Sequence, residues 1–306
     1  MKKKCYYKYN LPFSLSLTKN LNDLGDRVFK DNKASLIIVD GLIGSGKTTM
    51  AVHLADYFNG AFEQVSEGEF KIIEEKFISL QDQLGLGGQD FAKKLKLCHV
   101  QKLPVIIYDE AGDFNSRGAL TRFNATLNRV FEVFRAFKVI VILCLPLVAS
   151  IDNSLFNKGI ARMLIHCENR NNLYGSYKVY ALRDIFYLLD KMKRYVVKTD
   201  AYRSVYPCMR GHFLDLPAER SNELDVISIG NKLEVLDEAE IKMEGLYSYQ
   251  DISKRLGMSV SWLRERVSEF HIPAKKIFKK RKYFDDQAVD VLVNLLEEQR
   301  KYVVEK

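Results

Sequence analysis

Eight residues near the start of the chain, Gly41-Leu-Ile-Gly-Ser-Gly-Lys-Thr48, have types and spacing suited to gripping a phosphate. Gly41, Gly44 and Gly46 allow a tight turn in which the backbone amides of the loop, through Ser45 and on to Thr49, close around a β-phosphate. Lys47 supplies a cation to the β and γ oxygens, and the Thr48 hydroxyl is a ligand for Mg²⁺. A second group, Val105-Ile-Ile-Tyr-Asp109-Glu110, is an apolar run ending in two carboxylates. Asp109 suits the water shell of Mg²⁺, and Glu110 suits the orientation or deprotonation of an attacking water. Read together, the two groups predict hydrolysis of ATP with Mg²⁺. A plain glycine turn and a strand-end carboxylate cap are the competing readings, and the complete GxxxxGK[ST] match weighs against both.

Such side chains converge only if particular elements carry them. The apolar run Ser35 to Asp40 predicts a strand entering the loop, and Lys47 to Phe58 predicts a helix leaving it. The pattern then alternates: helix Gln89 to Cys98 before strand Val105 to Tyr108, and helix Leu120 to Phe137 before strand Val139 to Leu145. That alternation predicts an α/β fold with a mainly parallel sheet. The runs Ala161 to Glu168 and Ser176 to Leu182 predict a hairpin at the sheet edge, and residues 184–229 read as irregular. Boundaries are expected at 1–34 for a lead-in with a helix signal over Leu17 to Phe29, 35–230 for the nucleotide-binding core, 231–245 for a charged linker and 246–306 for a last module.

The glutamate beside Asp109 separates branches of the phosphate-loop proteins. Asn157-Lys158-Gly159-Ile160 lacks the aspartate of a GTPase base-reading motif, and no arginine-rich kinase lid is recognisable. Asp109-Glu-Ala-Gly-Asp-Phe-Asn-Ser-Arg117, the helix ending Val133-Phe-Arg135-Ala-Phe, the strand Val139 to Leu145 with Pro146, and Ile151-Asp152 resemble the HerA/FtsK branch of P-loop ATPases. Within that branch they look like Zot-like and archaeal or viral DNA-packaging and conjugation ATPases. The resemblance covers roughly residues 34–182 and implies a RecA-like core, ATP hydrolysis coupled to DNA translocation, packaging or transfer, and a homo-oligomer, with a hexameric ring among its forms. It also implies a polar sensor closing the strand after the acidic pair; here that strand closes Leu143-Cys144-Leu145-Pro146, which leaves the sensor missing or displaced to Ser150 or Asp152. In such rings an arginine from a neighbouring subunit reaches the γ-phosphate. Arg162 is the first candidate, with Arg117, Arg135 and Arg170 behind it.

The last 60 or so residues read differently. Tyr247 to Leu256 with Gly257 closing the run, then Ser259 capping Val260 to Phe270, predict two short helices joined by a glycine turn. Ser261, Trp262, Arg264, Arg266 and Ser268 are expected on the outer face of the second helix, suited to phosphates and base edges. A basic wing follows, carrying Lys275, Lys276, Lys279, Lys280, Arg281 and Lys282, and then a helix from Asp285 to Val304. The order resembles the small winged helix-turn-helix domain of MerR-type and excisionase-like proteins, which implies DNA binding. A basic helical hairpin for docking a protein or closing the oligomer is the alternative. For the whole chain, the alternatives to a DNA motor are a nucleotide-switched DNA-binding regulator and an assembly or secretion ATPase acting on protein.

Composition agrees with this class. The 47 Lys and Arg against 39 Asp and Glu give a formal charge of +8 over 306 residues, which favours a polyanionic partner. Cys5, Cys98, Cys144, Cys167 and Cys208 are scattered without CxxC spacing, and no signal-peptide pattern is recognisable. Reduced thiols and a cytoplasmic location are therefore expected. The longest apolar stretch, Val139 to Ala149, falls short of the roughly 20 residues of a membrane span. Contact with a membrane or capsid complex would be peripheral.

Overall fold

Leu17, Leu21, Leu24 and Val28 recur at helical spacing, and they form the buried stripe of the first helix, α1 (Ser16–Phe29). The computed structural model describes residues 11–33, 35–66, 69–109, 137–151, 154–171, 174–278 and 280–304. It divides into two units, Met1–Asp225 and Val226–Lys306.

After α1 the first unit continues through β1 (Ser35–Asp40), α2 (Lys47–Phe58), β2 (Phe62–Ser66), β3 (Glu69–Ile72), α3 (Leu80–Gln83), β4 (Leu84–Leu86), α4 (Gly88–Gln101) and β5 (Val105–Asp109). Next come β6 (Ile140–Leu145), α5 (Ser154–Asn157), β7 (Ala161–Asn171), β8 (Tyr174–Ala181), α6 (Leu182–Arg194), α7 (Ala201–Ser204) and β9 (Met209–Leu214). The long helix α8 (Ala218–Met243) begins in this unit.

The sheet runs β4-β5-β6-β1-β7-β8-β9. The pairs from β4 to β7 are parallel, and β8 and β9 are added antiparallel. The fold is thus α/β with a mainly parallel sheet. Every residue of β1 and β6 is buried. Their unbroken apolar runs, Leu36 to Val39 and Ile140 to Leu145, are what strands covered on both faces require.

Two expectations need correction. Residues 184–229 are not irregular: they hold most of α6, then α7, β9 and the start of α8. The amphipathic stripe of α6, Ile185, Leu188, Leu189 and Met192, was obscured by the exposed Phe186 and Tyr187 on its other face. The segment 231–245, expected as a charged linker, is helical as far as Met243, where α8 ends; its Glu, Lys and Leu residues are strong helix formers. The hairpin of β2 and β3 had no counterpart in the sequence reading. The expected helix from Leu120 and the lead-in before Leu11 lie outside the described residues. No described helix is long and apolar enough to cross a membrane, and Cys98, Cys144, Cys167 and Cys208 are free.

Helix α2 packs on β1, β5 and β6 and is fixed by polar side chains of its own. His53 Nε2 lies 2.8 Å from the Leu214 carbonyl oxygen at the end of β9, which assigns the neutral tautomer with its proton on Nε2. Asp56, also buried, is ion-paired with Arg220 in the first turn of α8. Arg220 donates further to the Ile78 carbonyl and to Glu223, both at 2.8 Å, and Glu223 accepts from Ser79 Oγ and the Leu80 amide at 2.7 Å. The neighbouring donors hold the Glu223 carboxyl below its usual range despite partial burial.

In the second unit, the end of α8 is followed by β10 (Tyr247–Ser248), α9 (Tyr249–Leu256), α10 (Val260–Glu269), β11 (Lys276–Phe278), β12 (Arg281–Phe284) and α11 (Asp286–Val304). Ser248 and Asp251 cap α9 reciprocally, and Gly257 closes it at φ 69°. Ser259 Oγ accepts from the Trp262 amide to cap α10. Ile252, Leu263, Val267, Phe284, Val289 and Leu292 form the core, and β10-β12-β11 make a small antiparallel sheet.

Burial pushes the His53 imidazole down to about 4 from its ordinary 6.5. The unfolded chain then binds the proton more readily than the folded one, so stability falls as pH drops from 6.5 towards 4. The loss across that window should be roughly 3 kcal/mol. Chemical denaturation at a series of pH values should show this slope, and His53→Gln, which keeps a donor for Leu214, should flatten it.

Candidate functional site

The phosphate-type loop lies between β1 and α2, at the carboxyl edge of the parallel strands, where open α/β sheets bind ligands. Its shape depends on glycine at defined places. Gly44 and Gly46 have φ of 79° and 84°, a left-handed region that other residues avoid. A Cβ on Gly41, at φ 149°, would collide with the Cys167 carbonyl of β7 and stand 2.5 Å from Ser45 Oγ. A Cβ on Gly46 would come within 2.8 Å of the Phe213 ring.

These glycines aim the start of α2 into the loop. Its N-cap, Gly46, provides no side-chain cap for the first turn. Lys47 Nζ donates to the carbonyls of Gly41 and Leu42 at 3.0 and 2.8 Å, so the ammonium is held against the loop. Ser45 Oγ is buried without a partner among the described residues. An orphaned hydroxyl, an uncapped helix start, a lysine and a cradle that only glycine can line together fit a polyphosphate.

The acidic strand reaches the same place. Thr48 Oγ1 donates to Asp109 Oδ2 at 2.8 Å, although β6 separates β1 from β5. In register, Asp109 stands beside Cys144 and Cys144 beside Val39. The helix spans the gap, because α2 leaves the β1 loop and crosses β6 to lie on β5. A hydroxyl and a carboxylate in contact are the donor set for a hard cation such as Mg²⁺. Glu110, Arg117, Arg135 and Asp152 lie outside the described residues.

Of the remaining expected positions among the described residues, only the end of β6 is seen to touch the loop segment. The end of β6 carries Cys144, whose thiol lies 4.0 Å from the Lys47 carbonyl and is pushed well up by burial. That is an uncharged seat for the first turn of α2. Ser150 closes a short 3₁₀ turn after β6. Arg162 sits at the start of β7, level with the start of β1, whereas the loop follows the end of β1. The structure therefore does not bring Arg162 to the loop of its own chain. Its guanidinium is lowered by burial and by the nearby Arg27. Arg170 falls near the end of β7.

One residue was missed. Asp40, the last of β1 and wholly buried, meets His166 Nδ1 at 2.9 Å and accepts from the Val148 amide at 2.8 Å and from the Tyr202 hydroxyl. The His166 ring stacks on Tyr202 with centroids 3.6 Å apart. Burial and the Asp40 charge raise the Tyr202 phenol well above its usual range, so it stays a donor. Asp40 thus ties the loop's first residue to β7, α7 and the segment after β6. An acid closing the apolar run Leu36 to Val39 was the available signal.

In the second unit, Trp262 is not on an open face. It is half-buried against the core, because helical spacing turns it towards Arg266, whose guanidinium lies 5.8 Å from the ring. Arg266 is ion-paired with Glu269, Lys276 with Glu244 at 3.1 Å, and Lys275 approaches Asp285 at 4.0 Å. Arg264 is exposed, with its guanidinium 5.8 Å from the Tyr249 ring. Lys280, Arg281 and Lys282 are exposed on the β11–β12 hairpin, and Lys279 lies outside the described residues.

No family model and no curated protein matches the sequence. Among solved structures, the chain is similar to a KaiC-like protein from Pyrococcus horikoshii OT3, at 13% identity and TM-score 0.31 over 49% of this chain and 81% of that one. It is also similar to the flagellar accessory protein FlaH from Methanocaldococcus jannaschii, at 18% and 0.24 over 52% and 83%. The N-terminal domain of zonular occludens toxin from Neisseria meningitidis aligns at 11% and 0.30 over 62% and 98%. Likenesses of this size leave function to be read from the site.

The glycines differ in what they protect. Gly44→Ala, with open space around it, should cost about 1–2 kcal/mol, the conformational term alone. Gly41→Ala adds the collision with β7 and should cost roughly 3 kcal/mol or more. Urea unfolding of both variants measures the difference.

Proposed function

We propose that the chain is a P-loop ATPase with a RecA-like core and a DNA-binding winged helix. It would hydrolyse ATP to translocate, package or transfer DNA, working in the cytoplasm as a homo-oligomer. The observation that supports this most directly is the 2.8 Å bond from Thr48 to Asp109, which unites the glycine loop and the acidic strand in one site. Gly41, Gly44, Ser45, Gly46, Lys47, Thr48 and Thr49 would hold the phosphates through backbone amides and the Lys47 ammonium. Thr48 and Asp109 would hold Mg²⁺, which supplies charge neutralisation at the β and γ oxygens when bound. Glu110, next along the chain from Asp109, would take a proton from the attacking water. Arg162 would serve a neighbouring copy, since its own loop is at the other end of β7. Arg264, Lys280, Arg281 and Lys282 would meet DNA phosphates, with Arg266, Lys275, Lys276 and Lys279 completing that face.

A second reading has one observation in its favour. The uncharged thiol of Cys144 at the end of β6 suits slow turnover, and hence a nucleotide-switched regulator on a DNA site.

Lys47→Ala should abolish Mg·ATP binding in equilibrium titration, whereas Glu110→Gln should bind ATP but lose hydrolysis by roughly 10²–10⁴-fold. An unchanged rate in Glu110→Gln would remove the assigned base. Long double-stranded DNA should stimulate hydrolysis several-fold; a flat rate with a footprint on one short sequence would favour the switch. Lys280→Glu with Lys282→Glu should weaken DNA binding and reduce the salt slope by about one per lost phosphate contact.

A further inference from the structure

Helix α8 carries an apolar stripe that is left bare. Val226, Ile229, Leu233, Leu236 and Met243 are exposed at 72%, 54%, 54%, 64% and 88%. Their spacing puts them at successive a and d positions of a heptad, with Glu240 at the remaining a position. Gly230 and Asp237, at the flanking e positions, are exposed and not apolar, so the stripe stays narrow. A helix that docks on a globular surface presents a broader face including e or g, whereas a strict a/d stripe is the seam of a coiled coil. Ile241, on another face of the same helix, is buried with Leu246 and Tyr283, so the unit's own packing uses a different side.

We propose that this stripe pairs with the same stripe of a second copy of the chain in a two-helix coiled coil. From Val226 to Met243 the seam is about 27 Å long, and half a helix circumference over that length covers on the order of 450 Å² per copy. A standard interface covers roughly 800 Å² per partner, so this dimer is weak and depends on concentration. The carboxylate of Glu240 in the seam weakens it further.

The test is sedimentation equilibrium of the full chain without nucleotide, so that its outcome is independent of ATP binding. Dimer should form with a Kd on the order of 10 µM, and Glu240→Leu should tighten it about tenfold. Leu233→Lys with Leu236→Lys should be monomeric at 100-fold higher concentration than the Kd while keeping the far-ultraviolet dichroism of the parent. Val100→Lys, on the exposed side of α4, should change nothing. A parent and a Glu240→Leu variant that both stay monomeric, as they would if the chain's own first unit or a different protein covered the stripe, would overturn the proposal. So would a dimer indifferent to the double lysine variant.

Discussion

The hydrogen bond from Thr48 Oγ1 to Asp109 Oδ2 joins groups whose strands are not neighbours, because β6 lies between β1 and β5. The rest of the site follows from how that gap is bridged. A helix leaving β1 must cross one strand before its first turn can meet the acidic strand, and the glycine loop sets the angle at which it leaves. The small Cys144 side chain at the end of β6 lets the first turn pass close over the sheet, with the thiol 4.0 Å from the Lys47 carbonyl. A bulky or charged residue there would have to be accommodated beneath α2. A thiol at that position is therefore compatible with close packing of the helix over the sheet.

Buried charge supports this arrangement from below. Asp40 has no solvent contact, and an uncompensated carboxylate there would be costly to the folded state. Its donors come from three separate segments: the Val148 amide, the Tyr202 hydroxyl and the His166 imidazole. The carboxylate adjoining the glycine loop is satisfied only when those segments are all in place, so the loop inherits their order. Asp56 does the same at the other end of α2. Burial raises its carboxyl to about 6, with the Arg220 charge acting in the opposite direction. The Arg220 guanidinium, in direct contact with Asp56 and held by two other acceptors, is the counter-charge that compensates it.

Much of this was legible in the residues. Apolar runs with turn signals gave β1, β5 and β6 to within one residue and the β7–β8 hairpin to within three, because fully buried strands leave a continuous apolar signature. The glycine loop was legible because its conformation admits few other residues. The partners of Asp40 were not, since His166 and Tyr202 lie 126 and 162 residues along the chain from it and meet it only through the sheet order. Edge strand β4 escaped notice because it has only three residues, and β9 because Arg210, Gly211 and His212 interrupt its apolar residues. The outer-face assignment of Trp262 failed because a tryptophan on a short helix can contribute more by covering its core than by facing solvent.

The C-terminal unit shows why a count of cations overstates a charged surface. Lys275, Lys276 and Arg266 face carboxylates of their own unit, so half or more of their field is cancelled at a distance. Exposed pairs of this kind are individually worth roughly 0–1 kcal/mol. They can therefore be broken at little cost. Lys280 and Lys282 have no acidic partner among the described residues and flank the tip of a hairpin anchored by the buried Tyr283 and Phe284. Cations set outside ion pairs on the hairpin therefore dominate the positive field of this unit, whereas the paired ones contribute little to it at a distance.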